Sequence, residues 1–284
     1  MKVIRELLVI AALGLSFMSC AVPSRKPLVD PFPLRFPLVE AGTLEIEGYV
    51  VGQPWAQDGI VYYATREGYL TAVVASSRSV LWRRIDPAGP ADTGDRPFPE
   101  DQKRLALRAE GSGLQAFDGE NKLIWEFAAD GPITVDPTVL DGRLYFGTEN
   151  RRFYCLNAAT GKVKWRRRLQ GAPLHPAVIS GGTVVVAASN SVIYLLSARG
   201  GSILSWETVP SRVVYELAAA GPLVLVSSAS ADVTALDIKT GKTAGHYLAS
   251  GPLLTGAVWS PPYVAVFLED ADSGRQRIVF LRSR

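Results

Sequence analysis

The sequence repeats a unit of roughly 40 residues that ends in a tryptophan. Its clearest copy, VLDGRLYFGTENRRFYCLNAATGKVKW, ends at Trp165. Trp82, Trp125, Trp165 and Trp206 follow one another at intervals of 43, 40 and 41 residues. From about residue 38 to the C-terminus, runs of four to seven β-branched and aromatic residues are separated by Gly, Asp and Pro, and no amphipathic helical pattern of useful length occurs. Several strands per unit at this repeat length predict a β-propeller.

The number of units sets the predicted number of blades. Six second strands are recognisable, beginning near Ile60, Leu105, Leu144, Val184, Leu223 and Val264. The last unit, GAVWSPPYVAVFLEDADSGRQRIVFLRSR, stops after its third strand. We expect the segment LRFPLVEAGTLEI near the N-terminus to supply the missing outermost strand, because pairing the chain ends removes an exposed edge. The predicted fold is an all-β propeller of six four-stranded blades, closed by its N- and C-terminal strands.

The tryptophans at the ends of the units are candidate structural residues. A large aromatic ring contributes much of the packing where it is buried, so we expect each ring to dock between neighbouring blades. The blade-docking residues predicted in this way are Trp82, Trp125, Trp165 and Trp206. A fifth copy of the unit has Gly245 and His246 where the tryptophan belongs.

Residues 1–20 have the features of a secretory signal peptide. Lys2 and Arg5 precede an apolar run from Leu7 to Leu15, which is too short to span a bilayer. Small residues then lead to Cys20, and this ending resembles a bacterial lipoprotein signal, in which the cysteine becomes the lipidated first residue. The alternative is a plain signal peptide with an incidental cysteine. The first interpretation predicts attachment to a membrane through lipid on Cys20.

Residues 21–37 contain prolines at 23, 27, 31, 33 and 37 and form the predicted tether. Proline-rich chain is extended and semi-rigid, so such a segment holds a domain away from a membrane surface. The propeller domain is expected over residues 38–284. If Cys20 carries lipid, Cys155 has no cysteine partner, and we expect it to be a packed core residue rather than a reactive thiol.

The turns NAATGK and DIKTGK share the pattern D/N-x-x-T-G-K, and in the first a tryptophan lies four residues past the glycine. This pattern resembles the repeat of pyrroloquinoline-quinone enzymes and the propeller proteins related to them. The resemblance covers nearly all of residues 40–284 and is best at residues 135–171. The quinone dehydrogenases and the related outer-membrane assembly lipoproteins have eight blades, whereas this chain has length for six.

No catalytic site, metal or cofactor is predicted. The resemblance implies that a quinoprotein would use calcium, a catalytic aspartate and often a pair of adjacent cysteines, whereas this chain contains only Cys20 and Cys155. His175 and His246 lie in different repeats and are too few for a zinc or copper centre. The formal net charge of +3 indicates no strong attraction to nucleic acid, so we expect no nucleic-acid partner.

Arginines follow two of the tryptophans and form a candidate partner surface: Arg83, Arg84, Arg166 and Arg168. One interpretation is that they protect edge strands from unwanted pairing. The other is that they dock an acidic partner or lipid headgroups. The insertion at residues 86–102 is long for a propeller connection, and a binding role and a merely mobile insertion are equally compatible with its composition.

The sequence therefore favours a non-catalytic, lipid-anchored propeller of the cell envelope that acts as a protein-interaction scaffold. The resemblance implies a role in envelope or outer-membrane protein assembly, at the periplasmic face of the outer membrane, with a monomeric domain and an envelope protein as partner. The alternatives are a binder of a small molecule or carbohydrate in the central funnel, and a degenerate quinoprotein.

Overall fold

The structure is a computed structural model that describes residues 33–85 and 105–284. The predicted signal peptide, Cys20, most of the tether and the insertion at 86–102 lie outside these ranges. The described ranges contain no helix that is long and apolar enough to cross a membrane.

The secondary structure of the described residues consists of antiparallel strands in six sheets, which we number as blades 1 to 6 in chain order. β1 (Leu38–Glu45) precedes blade 1 in the chain. Blade 1 contains β2 (Val50–Gln57), β3 (Ile60–Thr65), β4 (Tyr69–Val74) and β5 (Ser79–Ile85). Blade 2 contains β6 (Ala106–Glu110), β7 (Gly113–Phe117) and β8 (Leu123–Ala128).

The next three blades repeat one four-stranded pattern, in which the first strand is innermost and the last is outermost. Blade 3 contains β9 (Thr138–Leu140), β10 (Arg143–Gly147), β11 (Arg152–Asn157) and β12 (Val163–Arg168). Blade 4 contains β13 (Val178–Ser180), β14 (Thr183–Ala187), β15 (Val192–Ser197) and β16 (Ile203–Thr208). Blade 5 contains β17 (Ala218–Ala220), β18 (Leu223–Ser227), β19 (Asp232–Asp237) and β20 (Thr243–Leu248).

Blade 6 joins the two ends of the described chain. It contains β21 (Val258–Ser260), β22 (Tyr263–Glu269) and β23 (Gln276–Ser283), and its outermost strand is β1. β1 pairs with β23 in antiparallel register from Leu38 opposite Ser283 to Glu45 opposite Arg277. The predicted six-bladed all-β fold with terminal closure is therefore confirmed. Blade 2 differs from the expectation because it shows three strands within the described residues.

The core lies between the blades rather than inside any one of them. Every residue of β14 is buried, as its sequence TVVVA requires for a strand covered on both faces. Separate apolar clusters join blade 2 to 3, 3 to 4, 4 to 5, 5 to 6, and 6 to 1. Cys155 is fully buried in the cluster of blades 3 and 4, as expected, and burial raises the pKa of its thiol.

The turn between the third and fourth strands of blade 3 has the conformation that its sequence favours. The Asn157 carboxamide oxygen accepts hydrogen bonds from the backbone amides of Ala159 and Thr160, both at 3.0 Å. Gly161 has a φ of +66°, which L-residues with a side chain rarely adopt. The turn delivers the chain into β12 with a one-residue bulge opposite Cys155 and Leu156.

Removing β1 should destabilise the closed ring more than removing the chain before it. A protein that begins at residue 46 lacks β1 and exposes the edge of β23, where Ile278, Val279, Phe280 and Leu281 form a strongly β-prone run. We expect it to aggregate in light-scattering measurements, whereas a protein that begins at residue 32 stays monomeric. A monomeric shorter protein with an unchanged melting temperature would contradict closure by β1.

Candidate functional site

Trp125 and Trp165 dock against the blade that follows them. The indole Nε1 of Trp125 donates a hydrogen bond to the carbonyl oxygen of Ala158 at 2.8 Å, and that of Trp165 donates to Ala198 at 3.0 Å. Each of the two tryptophans is only 8% exposed. These contacts support the blade-docking role proposed for both residues.

The turn glycines allow this docking. A Cβ added at Gly161 would lie 2.7 Å from the Trp125 ring, and one at Gly201 would lie 2.4 Å from the Trp165 ring. Separations this short are steric clashes, so no larger residue fits there without movement of the ring. The glycine therefore serves two purposes at once: the positive φ of its own turn and the close approach of the preceding blade's tryptophan.

Trp206 does not dock between blades, and its predicted role is wrong. Trp165 lies opposite Cys155 in β11, but the equivalent residue opposite Leu195 in β15 is Ser205. Trp206 is one residue further along, and a shift of one residue in a strand turns a side chain to the other face of the sheet. The interval of 41 residues before Trp206, instead of 40, was the signal of this shift. Trp206 is consequently 61% exposed.

The blade 5 position without a tryptophan is filled by Phe36, which the sequence analysis did not identify. Gly245 lies opposite Ala235, the position that Trp165 holds in blade 3. A Cβ at Gly245 would lie 2.4 Å from the Phe36 ring. Phe36 packs on the apolar cluster of blades 5 and 6, just before β1. The N-terminal segment therefore supplies both a strand and an aromatic ring.

Trp82 contacts side chains of its own blade. Its ring centroid lies 6.1 Å from that of Tyr62, which stacks on Trp55 at 5.3 Å, and the Arg84 guanidinium lies 4.8 Å from the Trp82 ring. The turn of blade 2 has Asn121, with a φ of +62°, at the position that Gly161 occupies in blade 3; a lysine follows in both turns. A residue with a side chain replaces the docking glycine, and Trp82 is only half-buried.

The four candidate arginines lie on two blades and differ in their contacts. Arg83 forms an ion pair with Glu47 and stacks over Tyr69 at 4.0 Å, so its charge is already used within the protein. Arg84 lies over Trp82. Arg166 and Arg168 are exposed on β12 of blade 3, and neither forms an ion pair with a described residue. The four arginines therefore do not form one surface: Arg83 and Arg84 contact side chains of blade 1, whereas Arg166 and Arg168 are exposed on blade 3.

Arg166 and Arg168 share one face of β12. They lie opposite Tyr154 and Arg152 of β11, and Tyr154 belongs to the cluster between blades 2 and 3. Arg152 is paired with Asp130. Although burial raises the pKa of Asp130, hydrogen bonds from Tyr154 and Asn150 and the Arg152 charge hold it below its usual value.

We call the exposed cations of this face the β12 surface: Lys164, Arg166 and Arg168. All three are exposed, and they follow one another at alternate positions of one strand. Because no described acidic residue neutralises them, the β12 surface is suited to an acidic partner.

No candidate metal centre is found among the described residues. They contain no group of three or more His, Cys, Asp or Glu side chains that could hold a metal ion. His175 and His246 lie in blades 4 and 5, and burial lowers the pKa of His175.

Near the inner strands, the Gln53 side chain exchanges hydrogen bonds with the backbone of Gly256, which ties blade 1 to blade 6.

The repeat, the ring of blades and the docked tryptophans define a β-propeller of the quinoprotein-repeat class. A family model described as outer membrane protein assembly factor BamB matches residues 66–178 and again residues 166–281. Since the two matches cover most of the chain, the protein belongs to this family.

Similar proteins carry the same name. The outer membrane protein assembly factor BamB of Moranella endobia (strain PCIT) is 26% identical over 215 residues, which are 67% of this chain and 55% of that protein. The one of Yersinia pestis is 33% identical over 135 residues, which are 47% of this chain and 29% of that protein. The chain thus spans about half the length, or less, of these relatives.

A solved structure shows the fold alone. The crystal structure of Chaetomium thermophilum Raptor matches 86% of this chain and 29% of that chain, with a TM-score of 0.65 and 10% sequence identity. Such a likeness at low identity reflects shared architecture and carries no information about activity.

Replacing a docked and an exposed tryptophan should have very different effects on stability. Trp165→Ala should lower the free energy of unfolding by about 3 to 5 kcal/mol, as for other buried aromatic truncations. Trp206→Ala should change it by less than about 0.5 kcal/mol, because the ring is exposed. Urea unfolding followed by circular dichroism measures both. Equal losses in the two variants would contradict the assignment of Ser205 to the docking position.

Phe36→Ala tests the contribution of the N-terminal ring. Loss of the packed ring should lower the free energy of unfolding by about 2 kcal/mol, which is typical for burying a large apolar side chain. Arg35→Ala is the matched control, because the Arg35 side chain is exposed and only its backbone amide bonds Ser283. If the two variants unfold at the same urea concentration, Phe36 does not fill the position.

Proposed function

We propose that this protein is a non-catalytic scaffold of the cell envelope that binds a protein partner during outer-membrane protein assembly. The observation that carries the proposal is membership of the assembly factor family over residues 66–281, which extends from blade 1 to blade 6. The relatives are longer than the matched region, so the partners of this chain are part of the proposal.

Binding rather than catalysis fits the chemistry of the described residues. A reaction needs acid, base, nucleophile or metal groups that converge in one pocket. The two histidines lie in different blades, and burial raises the pKa of the Cys155 thiol, which disfavours the reactive thiolate. The conspicuous features of the surface are instead the outermost strands, with the β12 surface as the proposed contact for an acidic partner.

Reversing the charge of the β12 surface should weaken partner binding. In the double variant Arg166→Glu and Arg168→Glu, an acidic partner is repelled instead of attracted, so its cross-linking in envelope membranes should fall at least about tenfold. Quantitative mass spectrometry of the cross-linked, affinity-purified protein measures this change.

The control for charge reversal is the double variant Lys239→Glu and Lys242→Glu, which makes the same charge change at an exposed turn of blade 5. Its partner yield should stay within about twofold of the unmodified protein, because screening limits the reach of charges to about 10 Å. Equal yields from all three proteins would contradict docking at the β12 surface. A melting shift on adding pyrroloquinoline quinone and calcium would instead favour the quinoprotein alternative.

We further propose that lipid on Cys20 anchors the protein at the periplasmic face of the outer membrane, where it acts as a monomer. Cys20→Ser removes the acceptor thiol and should move the protein from the membrane fraction to the soluble fraction. Cys155→Ala is the control, because the thiol of Cys155 is buried in the propeller and is not accessible to a lipid-transferring enzyme. A membrane-bound Cys20→Ser protein would contradict the lipoprotein interpretation.

A further inference from the structure

We propose that β16, the outermost strand of blade 4, is a docking edge for an extended segment of a partner protein. The segment adds to the blade as a fifth strand, with apolar side chains at alternating positions and at least one carboxylate. This inference rests on the proposed function, because it names the surface at which the scaffold holds its partner.

β16 exposes three large apolar side chains within four residues. Ile203 is 43% exposed, Leu204 is 58% exposed and Trp206 is 61% exposed. An exposed indole contributes little to folding, since hydrophobic stabilisation depends on the apolar area removed from water. Tryptophan is, however, among the residues most enriched at the energetic centres of protein interfaces.

The fold does not require an apolar residue at the Trp206 position. The side chains at the same register in the other blades with a comparable outermost strand are polar: Arg83, Glu126, Arg166 and His246. The Leu204 position is less distinctive, because it is held by Lys164 in blade 3 but by the exposed apolar residues Leu81 and Ile124 in blades 1 and 2. Blade 4 therefore departs from the other blades at the exposed Trp206 position without a packing reason.

Trp206 lies on the face of β16 that turns toward blade 3. It lies opposite Tyr194 of β15, which belongs to the buried cluster of those two blades. On the other side, Arg167 of β12 donates from Nε to the carbonyl oxygen of Gly201 at 2.7 Å. Arg167 forms no ion pair with a described residue. The side of β16 that faces blade 3 thus presents an exposed indole, and blade 3 turns a guanidinium group toward the same side.

The backbone edge of β16 is open to pairing. β16 ends the sheet of blade 4, and no described strand pairs with its outer side. Edge strands are commonly protected by Lys or Arg, as in the VKWRRR sequence of β12. β16, with the sequence ILSWET, contains neither residue. An unprotected edge that also carries exposed apolar side chains is suited to strand addition.

These features together select the occupant. An extended segment satisfies the free backbone groups, its alternate side chains cover Leu204 and Trp206, and a carboxylate pairs with Arg167. A lipid would leave the edge N–H and C=O groups without partners. In a second copy of β16, the only carboxylate is that of Glu207. It lies on the opposite face of the strand from Trp206 and so does not serve as the partner of Arg167 when the apolar face is covered.

The test places the photo-crosslinker benzoylphenylalanine at residue 204 of the full chain in its own cells, as Leu204→benzoylphenylalanine. A second protein also carries Trp206→Arg, a side chain that blade 3 accepts at the same register, so its melting temperature should be unchanged. The matched control carries Leu248→Arg instead, at an apolar residue of β20 that is 73% exposed.

We expect an adduct whose mass-spectrometric map lies in a partner segment with alternating apolar residues and a carboxylate. Trp206→Arg should reduce its yield at least about tenfold, and Leu248→Arg by less than about twofold. Absence of an adduct, an adduct with lipid or with a second copy, or a yield that ignores Trp206→Arg would overturn the inference. If one of these results is obtained but a crosslinker placed at residue 168 captures a component of outer-membrane protein assembly, the inference fails and the proposed function is still supported.

Discussion

The dependence of each blade on both of its neighbours governs the whole structure. In blades 3 to 6 the middle strands are buried on both faces, and this burial requires a blade on each side. A ring satisfies every blade only if it closes, and β1 closes it by pairing with β23 across the two ends of the described chain. Phe36 adds the aromatic contact that blade 5 lacks. The N-terminal segment is therefore part of the core, although it precedes the first repeat.

The repeat made most of the fold predictable, because its period indicates several strands per blade and its incomplete last unit indicates that another segment must close the ring. Trp125 and Trp165 were found for the same reason: each lies four residues past a turn residue with positive φ. The prediction for Trp206 was wrong because it matched the tryptophan by residue type and ignored a difference of one residue in the spacing. In a strand, a difference of one residue places the side chain on the opposite face of the sheet. Phe36 could not be found by periodicity, since it reaches Gly245 from a segment more than 200 residues away.

The outermost strands show where the chain varies without loss of the fold. One side chain of these strands is fixed by packing against a turn glycine of the next blade, as in Trp125, Trp165 and Ser205. The positions one residue to either side face outward and differ among blades: cations on β12, apolar residues on β16, and His246 on β20. Differences at equivalent positions of one scaffold are informative about function, because the fold itself treats them alike.

The N-terminal strand also determines at which blade the described chain enters the ring. In a ring of six blades, blade 3 lies opposite blade 6, and β1 enters the ring at blade 6 beside blade 5. The described chain therefore enters the ring on the side away from β12. Closure by the N-terminal strand thus occupies the outer edge of blade 6 and leaves the outermost strand of blade 3 without a described strand on its outer side.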